Sequence, residues 1–135
     1  MIIVMGHCRT ASGEFDRVTE AMQTQVAATS AEDGCIHYSF GRHVSDPDLL
    51  IISERWRDQA AIDAHFKSPH MAAFNAVLGA AKVLELDVKS YDLATGEVKQ
   101  FFWPPMDPLD RAEPGFPAGH CPAPLARDQP SDRPA

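Results

Sequence analysis

Basic residues are scarce in this sequence. Twelve Lys and Arg stand against 19 Asp and Glu, for a formal charge of -7 over 135 residues. Phosphate binding needs a surplus of cations, so a nucleic-acid partner is not expected. Cysteine is also scarce. Cys8, Cys35 and Cys121 are odd in number and lack CxxC spacing, which argues against a disulfide framework or a zinc site and fits a reducing, cytoplasmic setting. No apolar run approaches the ~20 residues of a membrane span, and no membrane association is expected. The start, Met1-Ile2-Ile3-Val4-Met5, lacks the basic region and small-residue cleavage site of a signal peptide and reads as a strand that begins at once. No serine stands in a nucleophile-elbow context, no glycine-rich loop is suited to phosphate, and nothing in the sequence points to flavin or nicotinamide.

Proline, in contrast, is concentrated. Nine of the eleven prolines lie between Pro104 and Pro134, a density that neither a helix nor a central strand tolerates. The chain therefore divides into a domain over residues 1–100 and a Pro-rich C-terminal tail over 101–135. Residues 104–135 are expected to be extended, largely disordered or lying on a surface. Phe101-Phe102-Trp103 is expected to dock on the body or on a partner, because three adjacent aromatics are costly in water.

Within the domain the apolar spacing alternates between periods. Residues 2–8 read as a strand. Ser12 is a candidate N-cap with Glu14 in the first turn, and Phe15, Val18, Met22 and Val26 recur at helical spacing over 13–31. Asp33-Gly34 ends that helix. Residues 35–42 and 49–56 read as strands around a Ser45-Asp46-Pro47-Asp48 turn. Asp58 caps a short helix to about His65, and Ser68-Pro69 opens another with Met71, Phe74, Leu78 and Ala81 on its apolar face. Residues 83–91 read as a strand with Leu84, Leu86 and Val88 on one face, and 98–103 as a short fifth strand.

The order β-α-β-β-α-β predicts an α+β, ferredoxin-like fold, with helices covering one face of an antiparallel sheet. The other face would ordinarily be polar. Here Leu49-Leu50-Ile51-Ile52 and Ile2-Ile3-Val4-Met5 are apolar in both phases. With no second domain to cover that face, the expected partner is another copy of the chain, packed sheet to sheet as a homodimer.

Candidate chemistry concentrates between residues 34 and 70. Glu54 and Trp56 share a strand phase with Ile52 and Leu50, so a carboxylate and an indole point to one side of the sheet. His65 and His70 flank the Ser68-Pro69 break. That spacing differs from HExxH and comes without an evident third ligand, so no metal is expected. Histidines flanking a break can converge on a cavity, bind a substrate oxygen or move a proton near neutral pH. His7 and His37 sit on strands, Tyr38 shares a phase with Ile36 and Phe40, and Asn75 interrupts an apolar helix. Cys8 and Cys35 are expected to be small buried hydrophobes.

Three strings, Glu32-x-Gly34-Cys35-x-x-Tyr38, Glu54-x-Trp56-x-Asp58 and His65-Phe66-x-Ser68-Pro69-His70, resemble the antibiotic biosynthesis monooxygenase family and its quinol monooxygenase branch over roughly residues 1–93. The resemblance implies a dimeric α/β barrel, with a pocket between sheet and helices in each subunit. It also implies oxidation of a small quinol, anthrone or related phenolic by molecular oxygen without a cofactor. The haem-degrading branch has a tryptophan on the second helix, a histidine further along and an asparagine on the first strand. At the similar places stand Phe66, Ala76 and His7, so the proximal haem ligand is missing.

In the monooxygenase reading His65 or His70 is the catalytic base. Tyr38, Trp56, Glu54, His7, His37, Phe66 and Asn75 line the substrate site, with Tyr38 and Trp56 orienting the ring. Two alternatives need the same apolar pocket. One is a cofactor-free isomerase of a small carbonyl compound. The other is a non-catalytic dimer that binds a small aromatic ligand.

Overall fold

The computed structural model describes residues 1–101. The expected tail over 104–135, with Phe102 and Trp103, lies outside the described residues. The elements are β1 (Ile2–Thr10), α1 (Glu14–Ser30), β2 (Cys35–His43), β3 (Asp46–Trp56), α2 (Gln59–Phe66), α3 (Pro69–Ala80), β4 (Val83–Asp92) and β5 (Val98–Phe101). The sheet order is β2-β3-β1-β4-β5, and every neighbouring pair is antiparallel. This is the predicted ferredoxin-like α+β arrangement, with the second helix broken into α2 and α3 and a short strand added at the β4 edge. None of the described helices is long and apolar enough to cross a membrane.

The register explains the two-faced apolar pattern. Val4 pairs with Glu54 and Ile2 with Trp56, while Tyr38 pairs with Glu54 and Phe40 with Ile52. Residues opposite one another share a face, so Ile2, Val4, Tyr38, Phe40, Ile52, Glu54 and Trp56 all lie under the helices. One core cluster joins Ile2, Val4, Tyr38, Trp56, Ala61, Ile62 and Val88. A second joins Cys8, Phe15, Val18, Met22, Leu50, Met71 and Phe74. Trp56 is 1% exposed, and truncating a core tryptophan costs about 3–5 kcal/mol. The opposite face leaves Met5, Ile51 and Tyr91 exposed.

Three local expectations are corrected. The N-cap of α1 is Gly13 rather than Ser12, with no side-chain cap; the Glu14 carboxylate instead accepts from the backbone N–H of Lys82, tying the helix start to the approach to β4. The β2–β3 turn sits at Val44 and Ser45 rather than 45–48. His43 pairs with Asp46, and the register then shifts before Arg42 pairs with Leu50, so Pro47 occupies an irregular stretch of strand where a missing N–H is tolerated. In β4 the register shifts between Glu85, opposite Arg9, and Val83, opposite Thr10. That shift reverses the side-chain phase. Val83 packs against the core beside Leu86, and Leu84 is left 57% exposed. In β5 Phe101 pairs with Val88 and packs on the core.

The α1–β2 loop carries Glu32, and its path is fixed from two sides. Asp33 receives both terminal nitrogens of Arg57, each at 3.0 Å, and the Arg57 backbone N–H donates to the Gly34 carbonyl at 2.8 Å. Gly34 has φ 84°, a region costly for residues with a Cβ, and a Cβ there would come within 2.5 Å of the Ala61 Cβ. Backbone strain and the clash with α2 add, so Gly34→Ala is expected to destabilise the fold by roughly 2–4 kcal/mol. Thermal unfolding checks this: Tm falls by roughly 10 °C or more, whereas an unchanged Tm would contradict the described loop.

Candidate active site

Three segments converge at the open end of the β3–α2–α3 corner. Asp58 caps α2 by accepting from the Ala61 N–H at 2.9 Å, and α2 presents His65 near its end. Ser68 caps α3 by accepting from the Met71 N–H, which places His70 in the first turn. Glu32 reaches between them from the α1–β2 loop. Its carboxylate lies 3.0 and 3.1 Å from His65 Nδ1 and also contacts His70 Nε2. Together they form the group Glu32, His65 and His70, whose ligand-type atoms all lie within 4.8 Å of one another. The predicted histidines are thus brought together by a carboxylate that was not among the predicted site residues. Glu32 stands in the first of the three strings quoted above. Its loop position has no periodicity, however, and nothing local marks it as facing two helices.

The surroundings of the two imidazoles differ. His65 is buried, 3% exposed, between the rings of Trp56 at 4.9 Å and Tyr38 at 5.6 Å. Burial pushes its pKa below the ordinary histidine value, against the opposing pull of Glu32, so it is neutral at physiological pH. The side chains of His70 and Glu32 are 26% and 17% exposed. Phe66 lies 5.6 Å from the His65 ring and is exposed; its other neighbour is Phe101 at 5.7 Å. Tyr38 and Trp56 therefore form the floor of the site, and Glu32, His70 and Phe66 its accessible rim.

Behind the floor lies Glu54. The Trp56 indole N–H donates to its carboxylate at 2.8 Å. Burial, reinforced by the negative charge of Glu32, raises the Glu54 pKa to about 7, although the indole hydrogen bond opposes the shift. Burial likewise pushes the Tyr38 phenol up, so it stays protonated at any physiological pH.

The remaining predicted site residues fall elsewhere. His7 points to the uncovered sheet face, where its Nε2 lies 3.0 Å from Glu85. His37 is on that face too, within 3.0 Å of the Ser39 hydroxyl. Strand alternation puts both on the side opposite the helices, which removes them from this site. Asn75 lies on α3, and its Oδ1 is buried with no partner among the described residues. Cys8 is buried as expected, which raises its pKa to about 11, and Cys35 is partly buried.

One open cavity, about 490 Å³, runs between α1 and the sheet, with Phe15, Met22, Val26, Phe40, Arg42 and Leu50 in its walls. It contains none of the predicted site residues. Tyr38 stands between the two regions, 5.2 Å from Phe40 and 5.6 Å from His65. Another cavity, about 300 Å³, is on the uncovered sheet face and includes Met5, His7, Ile51 and Tyr91.

The sequence profile of the antibiotic biosynthesis monooxygenase family matches residues 1–77. The chain belongs to that family. Among its relatives is the Escherichia coli protein YgiN, named a probable quinol monooxygenase, which is 29% identical over 100 residues covering 66% of this chain and 94% of the relative. The uncharacterised protein sll1783 from Synechocystis is 30% identical over 73 residues, 54% of this chain. The match spans 50% of the length of sll1783. Among solved structures, Rv0793 from Mycobacterium tuberculosis superposes with a TM-score of 0.61 at 23% identity, over 67% of this chain and 92% of its own. PA3566 from Pseudomonas aeruginosa gives 0.60 at 24% identity, over 66% and 89%. At that identity the structural likeness supports the fold alone.

Glu54 makes a pH signature of this family member's site testable. Its folded pKa lies above the unfolded value near ~4.3, so between the two the native state holds the extra proton. Stability is then full below the unfolded pKa and is lost as pH rises through about 7. Glu54→Gln keeps the acceptor for Trp56 and removes the charge. Between pH 5 and pH 8 the parent is expected to lose up to about 3 kcal/mol relative to the variant, measured by urea unfolding. Parallel pH profiles would contradict the buried carboxylate.

Proposed function

We propose that this protein is a cofactor-independent monooxygenase that oxidises a small electron-rich phenolic, a quinol or anthrone, with molecular oxygen. The observation that carries the reading is the carboxylate of Glu32 held between His65 and His70 over an aromatic floor. A carboxylate that orients an imidazole and offsets the charge of its protonated form makes that imidazole an effective base. His70 takes the base role because it is the more accessible of the two, while buried His65 fixes the Glu32 carboxylate from the other side. The sequence alone leaves either histidine as the base.

In the anthrone case the methylene carbon loses a proton to His70. The carbanion passes its electrons to oxygen, and a C–O bond forms to give a hydroperoxide. Loss of water then leaves a carbonyl. One oxygen atom is retained and the other leaves as water, so the methylene and O₂ become a ketone and H₂O with the substrate as reductant. Phe66 is the aromatic ring within reach of a ligand at the rim. The dry floor of Tyr38 and Trp56 favours a delocalised anion over a solvated one.

A homodimer covering Met5, Ile51 and Tyr91 removes the apolar surface that the single chain leaves exposed. Sedimentation at micromolar concentration is expected to give twice the chain mass, and replacing Met5 and Ile51 together with lysine is expected to give the monomer. A monomeric parent would contradict the packing.

The reaction is tested by oxygen uptake with hydroquinones, anthrones and catechols, corrected for autoxidation. Saturable, protein-dependent uptake is expected. His70→Ala and Glu32→Gln are each expected to lower kcat by roughly 10²–10⁴. Uptake unchanged in both variants would remove the proposed base. Ligand binding without any uptake by the parent would remove the monooxygenase reading.

A further inference from the structure

Glu32 joins His65 and His70 as a third ligand-type group that the sequence spacing does not reveal. A metal was not expected because two histidines five positions apart showed no third ligand. The fold supplies it from residue 32, more than thirty positions upstream. Among the described residues this is the only group of three such side chains brought together. We propose that Glu32, His65 and His70 form a binding site for a divalent first-row transition ion of the zinc or cobalt type.

Two imidazole nitrogens and one carboxylate oxygen make a donor set of intermediate softness. It suits zinc, cobalt and iron, while calcium and magnesium prefer all-oxygen shells. Each donor is anchored by its own element before any ion arrives. The Asp33–Arg57 fork fixes the Glu32 loop, burial fixes His65 and the Ser68 cap fixes the turn bearing His70. The donor atoms already lie within 4.8 Å of one another, so small side-chain rotations suffice, and little ordering entropy remains to be lost on binding. The partly exposed edge at Glu32 and His70 leaves the remaining coordination positions to water, the pattern of an open three-ligand site.

The ion and the proton compete for the same nitrogens. Binding is a property of the three side chains and stands without the reaction proposed above. Its consequence rests on that reading: with His70 coordinated the base is blocked, and the ion acts as a reversible inhibitor of oxygen uptake.

The test uses the full chain treated with chelator and titrated with Co²⁺, followed by visible absorption, and with Zn²⁺, followed by calorimetry. One ion per chain is expected, with the intense ligand-field bands of a low-coordinate Co²⁺ site. Affinity is expected to fall by at least about 100-fold in His70→Ala and in Glu32→Gln and to stay unchanged in His7→Ala, which removes a histidine on the opposite sheet face. Far-UV circular dichroism establishes that each variant is folded, and partly exposed His70 provides the substitution least coupled to the core. The proposal is overturned by the absence of saturable binding to the parent. It is equally overturned by affinity that is unchanged in folded His70→Ala, or that is lost in His7→Ala. None of these readouts depends on turnover, so a failed oxygen assay and a failed metal site remain separate results.

Discussion

A single carboxylate shared by two imidazoles organises this corner of the molecule. Glu32 belongs to a loop, His65 to the end of one helix and His70 to the start of the next. Without a common acceptor the last turn of α2 and the first turn of α3 would present two unrelated histidines on either side of a proline. With it the three segments are tied at one point, and the buried member of the pair has a partner for the nitrogen it could not leave unsatisfied at low cost. The surrounding structure follows from this constraint. Gly34 lets the chain turn sharply enough for Glu32 to reach α2. Arg57 grips Asp33, and Trp56 lies against the His65 ring and reaches back to Glu54.

The asymmetry between the two imidazoles has a physical origin in the sheet register. Strand β3 brings Trp56 and Glu54 to the helix-covered face, directly beneath α2. His65 lands on that indole and is sealed from water, while His70 stays at the rim one turn into α3. One carboxylate thus contacts a buried imidazole and a partly exposed one. The same register sends His7 and His37 to the other side of the sheet. Two predicted site residues thereby lie apart from Glu32, His65 and His70.

Much of the architecture was legible because it rests on periodicity. The 3.6-residue spacing of Phe15, Val18 and Met22 marks a helix, and the caps Asp58 and Ser68 are local signals that act locally. Apolar residues in both phases of β1 and β3 put apolar side chains on both faces of the sheet. The errors fall where one residue changes the phase. The register shift near Glu85 exchanges Val83 for Leu84, and the shift near Pro47 moves the hairpin turn to Val44 and Ser45. The role of Glu32 was not legible for a different reason. Its partners lie on two later helices, and a loop carboxylate carries no pattern that says which long-range contacts it makes.

The site depends on the hydrogen bond between Glu32 and His65. Nitrogen-detected NMR of histidine-labelled protein reads the tautomer of each imidazole directly. With the carboxylate accepting at Nδ1, His65 is expected to be neutral near pH 7 with its proton on Nδ1, and to lose that preference in Glu32→Gln. A His65 ring protonated on Nε2 in the parent, or one indifferent to Glu32→Gln, would contradict the shared carboxylate on which the site is built.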